Sequence, residues 1–421
     1  MISFAQDYRY RGNNVTAVCK HWLPIVTETT PPFSSATERF SGPRSRAWDI
    51  TDRAYQMERD GEDVIHLGVG DPDLNTPPRI VAAAVNGLKN GRTHYSPIPG
   101  EPMLREAVAE TYTTDLGVSV DPAQVTIFPG AQAALFAAVF CLTGHGDEVI
   151  LLEPFYATYE GVAQAGGATV VAVPMLAKNN FELDVERIAA AITTKTRVII
   201  ANSPGNPSGA VFSKSSWRSL LDVCVKHGIW LISDEVYGSL VFDGTHSSPL
   251  AIPSVNQNVV VISSLSKSHA MTGWRIGWSV APLALCNHLA NLSQCLLFGV
   301  NQFTQDAATF ALRNARDEAA EIRETFRDRR DSFCGMLEQI NGLRIYQPAG
   351  GMFTMIDISK LGMDGEAFAN RLLDDSGVAV VPGFAFGEST RNFVRVGYLH
   401  DKDILIDAAG RISRFVSSVG T

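Results

Sequence analysis

In the stretch SSLSKSHAMTGWRIG, residues 263–277, one lysine stands among small hydroxyl residues, with an arginine eight positions further on. The stretch follows the apolar run at 259–262. Lys267 is there a candidate nucleophilic amine. Ser264, Ser266 and Arg275 are hydroxyl and guanidinium donors of the type that hold a phosphate. Taken alone, the same residues also describe a solvated strand end with turn-forming serines. The rest of the chain has to decide between the two.

Four more polar clusters sit behind apolar, β-branched runs: PGAQAALF after 125–128, EPFYATY after 149–152, NSPGNPSGA after 198–201 and SDEVY after 230–232. Further runs lie at 170–173 and 276–280, and helix-like segments fill the intervals. Continuous apolar strands alternating with helices predict an α/β fold whose seven-stranded, mostly parallel sheet is covered on both faces. Ligands of such sheets bind outside the carboxyl ends of the strands. The polar clusters should therefore meet along one edge.

Taken as one site, the clusters have complementary chemistry. Gly130, Ala131 and Gln132 present free N–H groups at a helix N-terminus, where the dipole favours a phosphate, and Ser264, Ser266 and Arg275 add donors. Asp234, at the end of a buried strand, needs a cationic or N–H partner. A protonated pyridine nitrogen suits it, and its charge would keep that ring protonated. Tyr237 and Asn206 can donate to a ring phenolate, and Tyr156 can lie on an aromatic face. These are the demands of pyridoxal phosphate, an electron sink that a lysine holds as a Schiff base. Lys267 would form that link, be displaced by substrate and then act as the local base.

The motifs GVGDPD, YSPIPGEPMLREA, GAQAALF, NSPGNPSG, SDEVY, SLSKSHAMTGWRIGW and FVRVG occur in that order, from about residue 45 to the C-terminus. A chain that carries them resembles the class I/II aminotransferases of the type I pyridoxal-phosphate fold. The resemblance implies that Lys267 is the Schiff-base lysine, Asp234 the pyridinium partner, and Asn206 and Tyr237 the phenolate ligands. It puts Ala131, Gln132, Ser264 and Arg275 on the phosphate and Tyr156, in preference to Phe155, on the ring face. Arg395, with Asn206 beside it, matches the arginine that grips the substrate α-carboxylate, a fork-on-fork contact that lysine does not reproduce. Gly70 matches a glycine whose small size lets substrate pass. Tyr95 matches a tyrosine that reaches the phosphate from the neighbouring subunit, which implies a homodimer with shared active sites.

The segments AWDI, SLSKSHAMTGWR, DGTHSSPLAIP and FGVNQFTQDAA are similar to the branch of the family that moves the α-amino group of arginine to pyruvate. The expected substrates are thus an L-amino acid, arginine first, and a 2-oxo acid, pyruvate first. Aspartate or aromatic aminotransfer is the alternative within the family, and a lyase or decarboxylase the alternative on the same cofactor. An arginine guanidinium would need a carboxylate near the entrance. Asp49 in SRAWDITDRA is the acidic candidate, although its type and position also suit a helix cap, the favoured reading.

Bulk properties narrow the classes. A chain of 421 residues exceeds the size at which one core stops growing. Three parts are expected: a loose extension over 1–40, a large cofactor-binding domain over 77–314, and a smaller α+β domain over 41–76 with 315–421. A helical pattern should run from Arg44 to a stop at Gly61. Net charge is −9 and there is no Lys/Arg cluster, which disfavours nucleic acid as a partner. No winged helix fits the first 40 residues, so a regulator built on this fold is disfavoured as well. The six cysteines are scattered and the nine histidines form no ligand motif, so reduced thiols and no metal site are expected. The N-terminus lacks an apolar core of the signal-peptide kind, and the apolar stretch 131–143 is too short for a bilayer. A soluble, cytoplasmic enzyme without membrane contact is the expectation.

Overall fold

The computed structural model describes residues 31–40, 48–252 and 256–419. Most of the expected N-terminal extension, Cys19 and residues 44–47 of the expected first helix lie outside the described residues. The end of the extension departs from the expectation of irregular chain, because Ser35–Phe40 is a 3-10 helix. Local hydroxyl bonds start it: Ser34 Oγ accepts the Ala36 N–H at 3.2 Å, and Thr37 Oγ1 donates to the Ser34 carbonyl at 2.7 Å. So short an element leaves no periodicity to read.

The first α-helix, α1 (Asp49–Arg59), does stop before Gly61, whose φ of +92° a glycine adopts without strain. Trp48 holds the N-cap position and makes no side-chain cap bond, so Asp49 is the first helical residue and not the cap. After the short β1 (Ile65–His66) come α2 (Pro78–Lys89) and α3 (Pro102–Leu116), each opened by proline, whose fixed φ suits a first turn.

The central sheet then forms from β2 (Val125–Phe128), β3 (Glu148–Glu153), β4 (Thr169–Pro174), β5 (Thr196–Asn202), β6 (Trp230–Asp234), β7 (Val259–Ser264) and β8 (Gly277–Val280). Helices α4 (Ala131–Leu142), α5 (Tyr159–Ala165), α6 (Val185–Ala190) and α7 (Lys214–His227) connect them. The strand order is β2-β8-β7-β6-β5-β3-β4, and only β8 runs against its neighbours. Successive side chains point to opposite faces, and here both faces are covered. Ile150, Leu152, Ile199, Val259 and Val261 enter one core, while Val149, Leu151, Val198, Val260 and Ile262 enter the other. That is why these strands read as unbroken apolar runs.

The chain continues through α8 (Leu283–Leu296), α9 (Gln302–Asn314) and the long α10 (Arg316–Glu338). A second, antiparallel sheet holds β9 (Arg344–Tyr346), β10 (Phe353–Asp357), β12 (Val381–Pro382) and β13 (Phe393–Gly397) in the order β12-β13-β10-β9. The short β11 (Val378–Ala379) pairs with β1 in parallel. Helices α11 (Gly365–Ser376) and α12 (Lys402–Val419) pack with α1 and this sheet into a separate core, which includes Ile50, Phe353, Leu372, Val394 and Phe415. Tyr237 and Ala270 belong to the same core although they lie beside the central sheet's carboxyl edge in sequence. The candidate site lies where the two sheets approach.

Candidate active site

The carboxyl ends of β2, β3, β5, β6 and β7 share one edge, and Gly277 closes it by pairing with both Phe128 and Ser264. A Cβ on Gly277 would come 2.5 Å from the Ala131 nitrogen, so a glycine lets the start of α4 sit on the sheet. Gly130, with φ +90°, gives that helix no side-chain cap. The first N–H groups of α4 have no carbonyl within the helix to bond. The Arg275 guanidinium lies against Gly130 so closely that any side chain there would collide with it. Arg275 donates to the Thr272 carbonyl at 2.6 Å. Ser264 and Ser266 are buried, and Ser264 Oγ accepts the Ser266 N–H at 3.3 Å. Gln132 is exposed, and its Oε1 accepts from the Thr158 hydroxyl at 3.3 Å.

Lys267 follows β7 on a tight turn, and its Nζ donates to the Gly70 carbonyl at 2.6 Å. Burial lowers its pKa to about 8; Asp71 pulls it back up, and Arg275 and Arg395 push it down. An amine so placed is half uncharged near pH 8, far below the ordinary lysine range, and the uncharged form is the one a nucleophile or base requires. Gly70 itself is confined: a Cβ would meet the Phe353 ring at 2.9 Å.

Asp234 ends β6 in a buried position where desolvation raises its carboxyl to about 6. Its Oδ1 accepts the Val236 N–H at 3.1 Å and its Oδ2 the hydroxyl of Tyr159. Among the described residues no basic side chain pairs with it. Sequence reasoning misses Tyr159, although EPFYATY contains it. The available signal was its place three residues after Tyr156, and the two rings do meet edge to face at 5.9 Å. Phe155 is core, whereas Tyr156 sits in the field of Asp234, Arg275 and Arg395 with its hydroxyl pKa raised by burial. Asn206 Nδ2 lies 3.5 Å from the Tyr237 hydroxyl, and burial raises the pKa of that phenol too.

Arg395, on β13, is 1% exposed. Its Nη1 donates to Asn206 Oδ1 at 2.8 Å and its Nη2 to the Gly68 carbonyl at 2.6 Å. Nε has no partner, and no carboxylate among the described residues pairs with the guanidinium. Desolvation lowers its pKa to about 10. Two rings pack on it, Phe353 at 4.0 Å and Phe386 at 4.8 Å. Neither ring was foreseen from sequence. Tyr95 stands apart from the group, 80% exposed and edge-on to Phe298 at 5.0 Å.

The side chains of one chain thus assemble four demands. An anion is called for at Arg275 and the start of α4, a cationic N–H donor at Asp234, an electrophile at Lys267 and a carboxylate at Arg395. Among the described residues no cluster could hold a metal ion, and no helix is long and apolar enough to cross a membrane.

Comparison with known proteins agrees with this site. The sequence model of aminotransferase class I and II matches residues 62–412. The arginine–pyruvate transaminase of Pseudomonas aeruginosa is 46% identical over 381 residues, which cover 90% of this chain and 97% of that protein. An aspartate aminotransferase of Pyrococcus horikoshii is 35% identical, with 88% and 94% of the two chains covered. Among solved structures, the aspartate aminotransferase of Thermus thermophilus with maleate superposes with a TM-score of 0.87 at 33% identity, over 91% of this chain and all of that one.

Proposed function

Because the chain belongs to the class I and II aminotransferase family, and is an aminotransferase, we propose that it moves the α-amino group of arginine to pyruvate with pyridoxal phosphate as its cofactor. The observation that carries the amino-acid and keto-acid part of the reading is Arg395, a buried guanidinium with no carboxylate partner among the described residues and a nitrogen left unbonded. A substrate α-carboxylate would supply the missing charge and receive a forked contact. The higher identity to the arginine–pyruvate enzyme, 46% against 35% for an aspartate aminotransferase, supports arginine as the donor.

The residues fit the cofactor at each of its ends. Arg275, Ser264, Ser266 and the N–H groups of Ala131 and Gln132 would hold the phosphate. Asp234 would face the ring nitrogen and keep it protonated, a pairing that relieves the carboxyl now raised to about 6. Asn206 and Tyr237 would donate to the ring oxygen, and Tyr156 would cover the ring face. Lys267 would anchor the cofactor covalently. When bound, the protonated ring draws electron density away from the substrate Cα–H bond. Lys267 Nζ then takes the Cα proton, for which its pKa of about 8 is suited. Arg395 and Asn206 fix the carboxylate during that transfer, and Gly70 leaves room for the substrate to pass.

The exposed Tyr95 ring supports a homodimer in which each site borrows the partner's Tyr95. A core built mainly from α1, α11, α12 and the second sheet supports a division into a large domain, 77–314, and a small one, 41–76 with 315–421. The five cysteines among the described residues are free thiols, which supports the cytoplasm as its location. The test is a panel of amino acids, each with pyruvate or 2-oxoglutarate, run on the purified holoenzyme and read as keto-acid formation. Arginine with pyruvate should give the highest kcat/KM. A clear preference for aspartate would transfer the assignment to the second relative's activity.

A further inference from the structure

We propose that Glu153 is a positioning residue for substrate carboxylate binding, acting through the ring of Phe386. The proposal rests on Arg395 as the carboxylate site. Glu153 is the last residue of β3 and only 4% exposed, and among the described residues its carboxylate has no basic partner. Its Oε1 accepts the backbone N–H of Ser389, from the loop between β12 and β13. A buried carboxylate satisfied by a backbone N–H is retained only at a price in desolvation, so what it pins is informative.

The pinned loop is made of two short turns, Gly383–Phe386 and Glu388–Thr390. Gly387 joins them at φ +140°, and a Cβ there would overlap the Glu153 side chain. The Phe386 carbonyl accepts the Phe155 N–H at 3.0 Å, so the loop is tied to the end of β3 at Phe386 and again at Ser389. Thr390 Oγ1 closes it internally, donating to the carbonyls of Gly383 at 2.9 Å and Gly387 at 3.1 Å. At the first of these ties the Phe386 ring packs on the Arg395 guanidinium at 4.8 Å.

A guanidinium with a free Nε binds a carboxylate well only if its plane is fixed beforehand. Asn206 and Gly68 hold two of its nitrogens, and Phe353 and Phe386 restrict its tilt. Glu153 fixes one of those rings. It thereby connects the central sheet to a binding group carried on the second sheet.

The test is a double-mutant cycle on the holoenzyme, with steady-state kinetics for arginine and pyruvate or for the pair that the substrate panel returns. Glu153→Asp withdraws the acceptor by one methylene. It should raise KM for donor and acceptor by a common factor of about five while kcat stays within about twofold. Phe386→Leu should raise both KM values about tenfold. The double variant should be no worse than Phe386→Leu alone, because the carboxylate acts through the ring. Glu153→Gln keeps an acceptor at the same reach and should restore the wild-type KM. Where the aspartate variant is unstable, Glu153→Met fills the same space without an acceptor and should give the same KM increase. Multiplying effects in the double variant, or an unchanged KM in both Glu153→Asp and Glu153→Met, would overturn the inference. Arg395→Lys with unchanged KM would instead bring down the carboxylate site itself, whatever Glu153 does.

Discussion

Asp234 and Arg395 are two solutions to one problem. Each is a buried charge that no opposite charge neutralises among the described residues, and burial shifts both toward neutrality, Asp234 up to about 6 and Arg395 down to about 10. Neutral groups hold them in place. For Asp234 these come from the edge of a single sheet: the N–H of Val236, two residues on, and the hydroxyl of Tyr159 after β3. For Arg395 they come from four separate stretches, at Gly68, Asn206, Phe353 and Phe386. The first arrangement suits a resident group held by one rigid edge. The second suits a group that enters and leaves, since its surroundings join both sheets.

The largest effect belongs to Lys267, buried in the field of Arg275 and Arg395. Lys267→Ala should lower transamination by several orders of magnitude, because covalent anchor and base go together. In the apoprotein, trapping of the wild-type amine by an amine-reactive aldehyde should rise with pH around a midpoint near 8, since only the uncharged form reacts. A midpoint near the ordinary lysine value would remove the desolvation that places Lys267 in the same buried pocket.

Asp234→Ala comes next and asks whether the Asp234 end governs chemistry more than binding. It should lower kcat about a thousandfold, on the order of 4 kcal/mol of barrier, and leave KM for both substrates nearly unchanged. A kcat within about threefold of wild type would break the ring-nitrogen role. An effect on KM alone would make the two ends functionally alike.

The same contrast explains what could be read in advance. Strand runs, their polar terminal clusters and the sheet's parallel character follow from local pattern, because residues buried on both faces must be apolar without interruption. Asp234 and Lys267 were legible for that reason, each standing directly behind such a run. Arg395 was legible only through FVRVG as a family motif, since nothing beside it in sequence marks a buried cation. Phe353, Phe386 and Gly68 escaped because their role is a meeting of distant segments, and a phenylalanine in a strand or loop normally reads as core. Tyr159 is harder to read for a smaller reason: EPFYATY holds two tyrosines three residues apart, and local pattern does not say that both face the site. Asp49 suits an N-cap by type, but the helix begins one residue earlier than a cap there needs, with Trp48 at the N-cap.

Arg395→Lys tests the other end. A lysine keeps the charge and loses the fork, so KM should rise about fiftyfold, roughly 2.3 kcal/mol, for every amino acid and keto acid alike. kcat should change far less than in Asp234→Ala. An increase confined to one substrate would shift Arg395 from the carboxylate to a side-chain pocket, and the comparison with Asp234 would fail.

The smallest expected effect lies beyond both ends, where substrates differ from one another. Arg395 reads what all amino acids share, so it cannot select arginine; a carboxylate near the entrance would have to meet the guanidinium, because a desolvated cation without a partner is expensive. Asp49 opens α1 and is exposed. As the first helical residue it also interacts with the helix dipole, a contribution of about 0.3–1 kcal/mol to stability. Asp49→Asn removes the charge in either role, so a modest loss of thermal stability decides nothing. Donor discrimination does decide. If Asp49 meets the guanidinium, kcat/KM for arginine should fall about tenfold, on the order of 1.4 kcal/mol, while that for alanine hardly changes. Equal losses for both donors would confine Asp49 to the helix and leave selection of arginine to residues nearer Lys267.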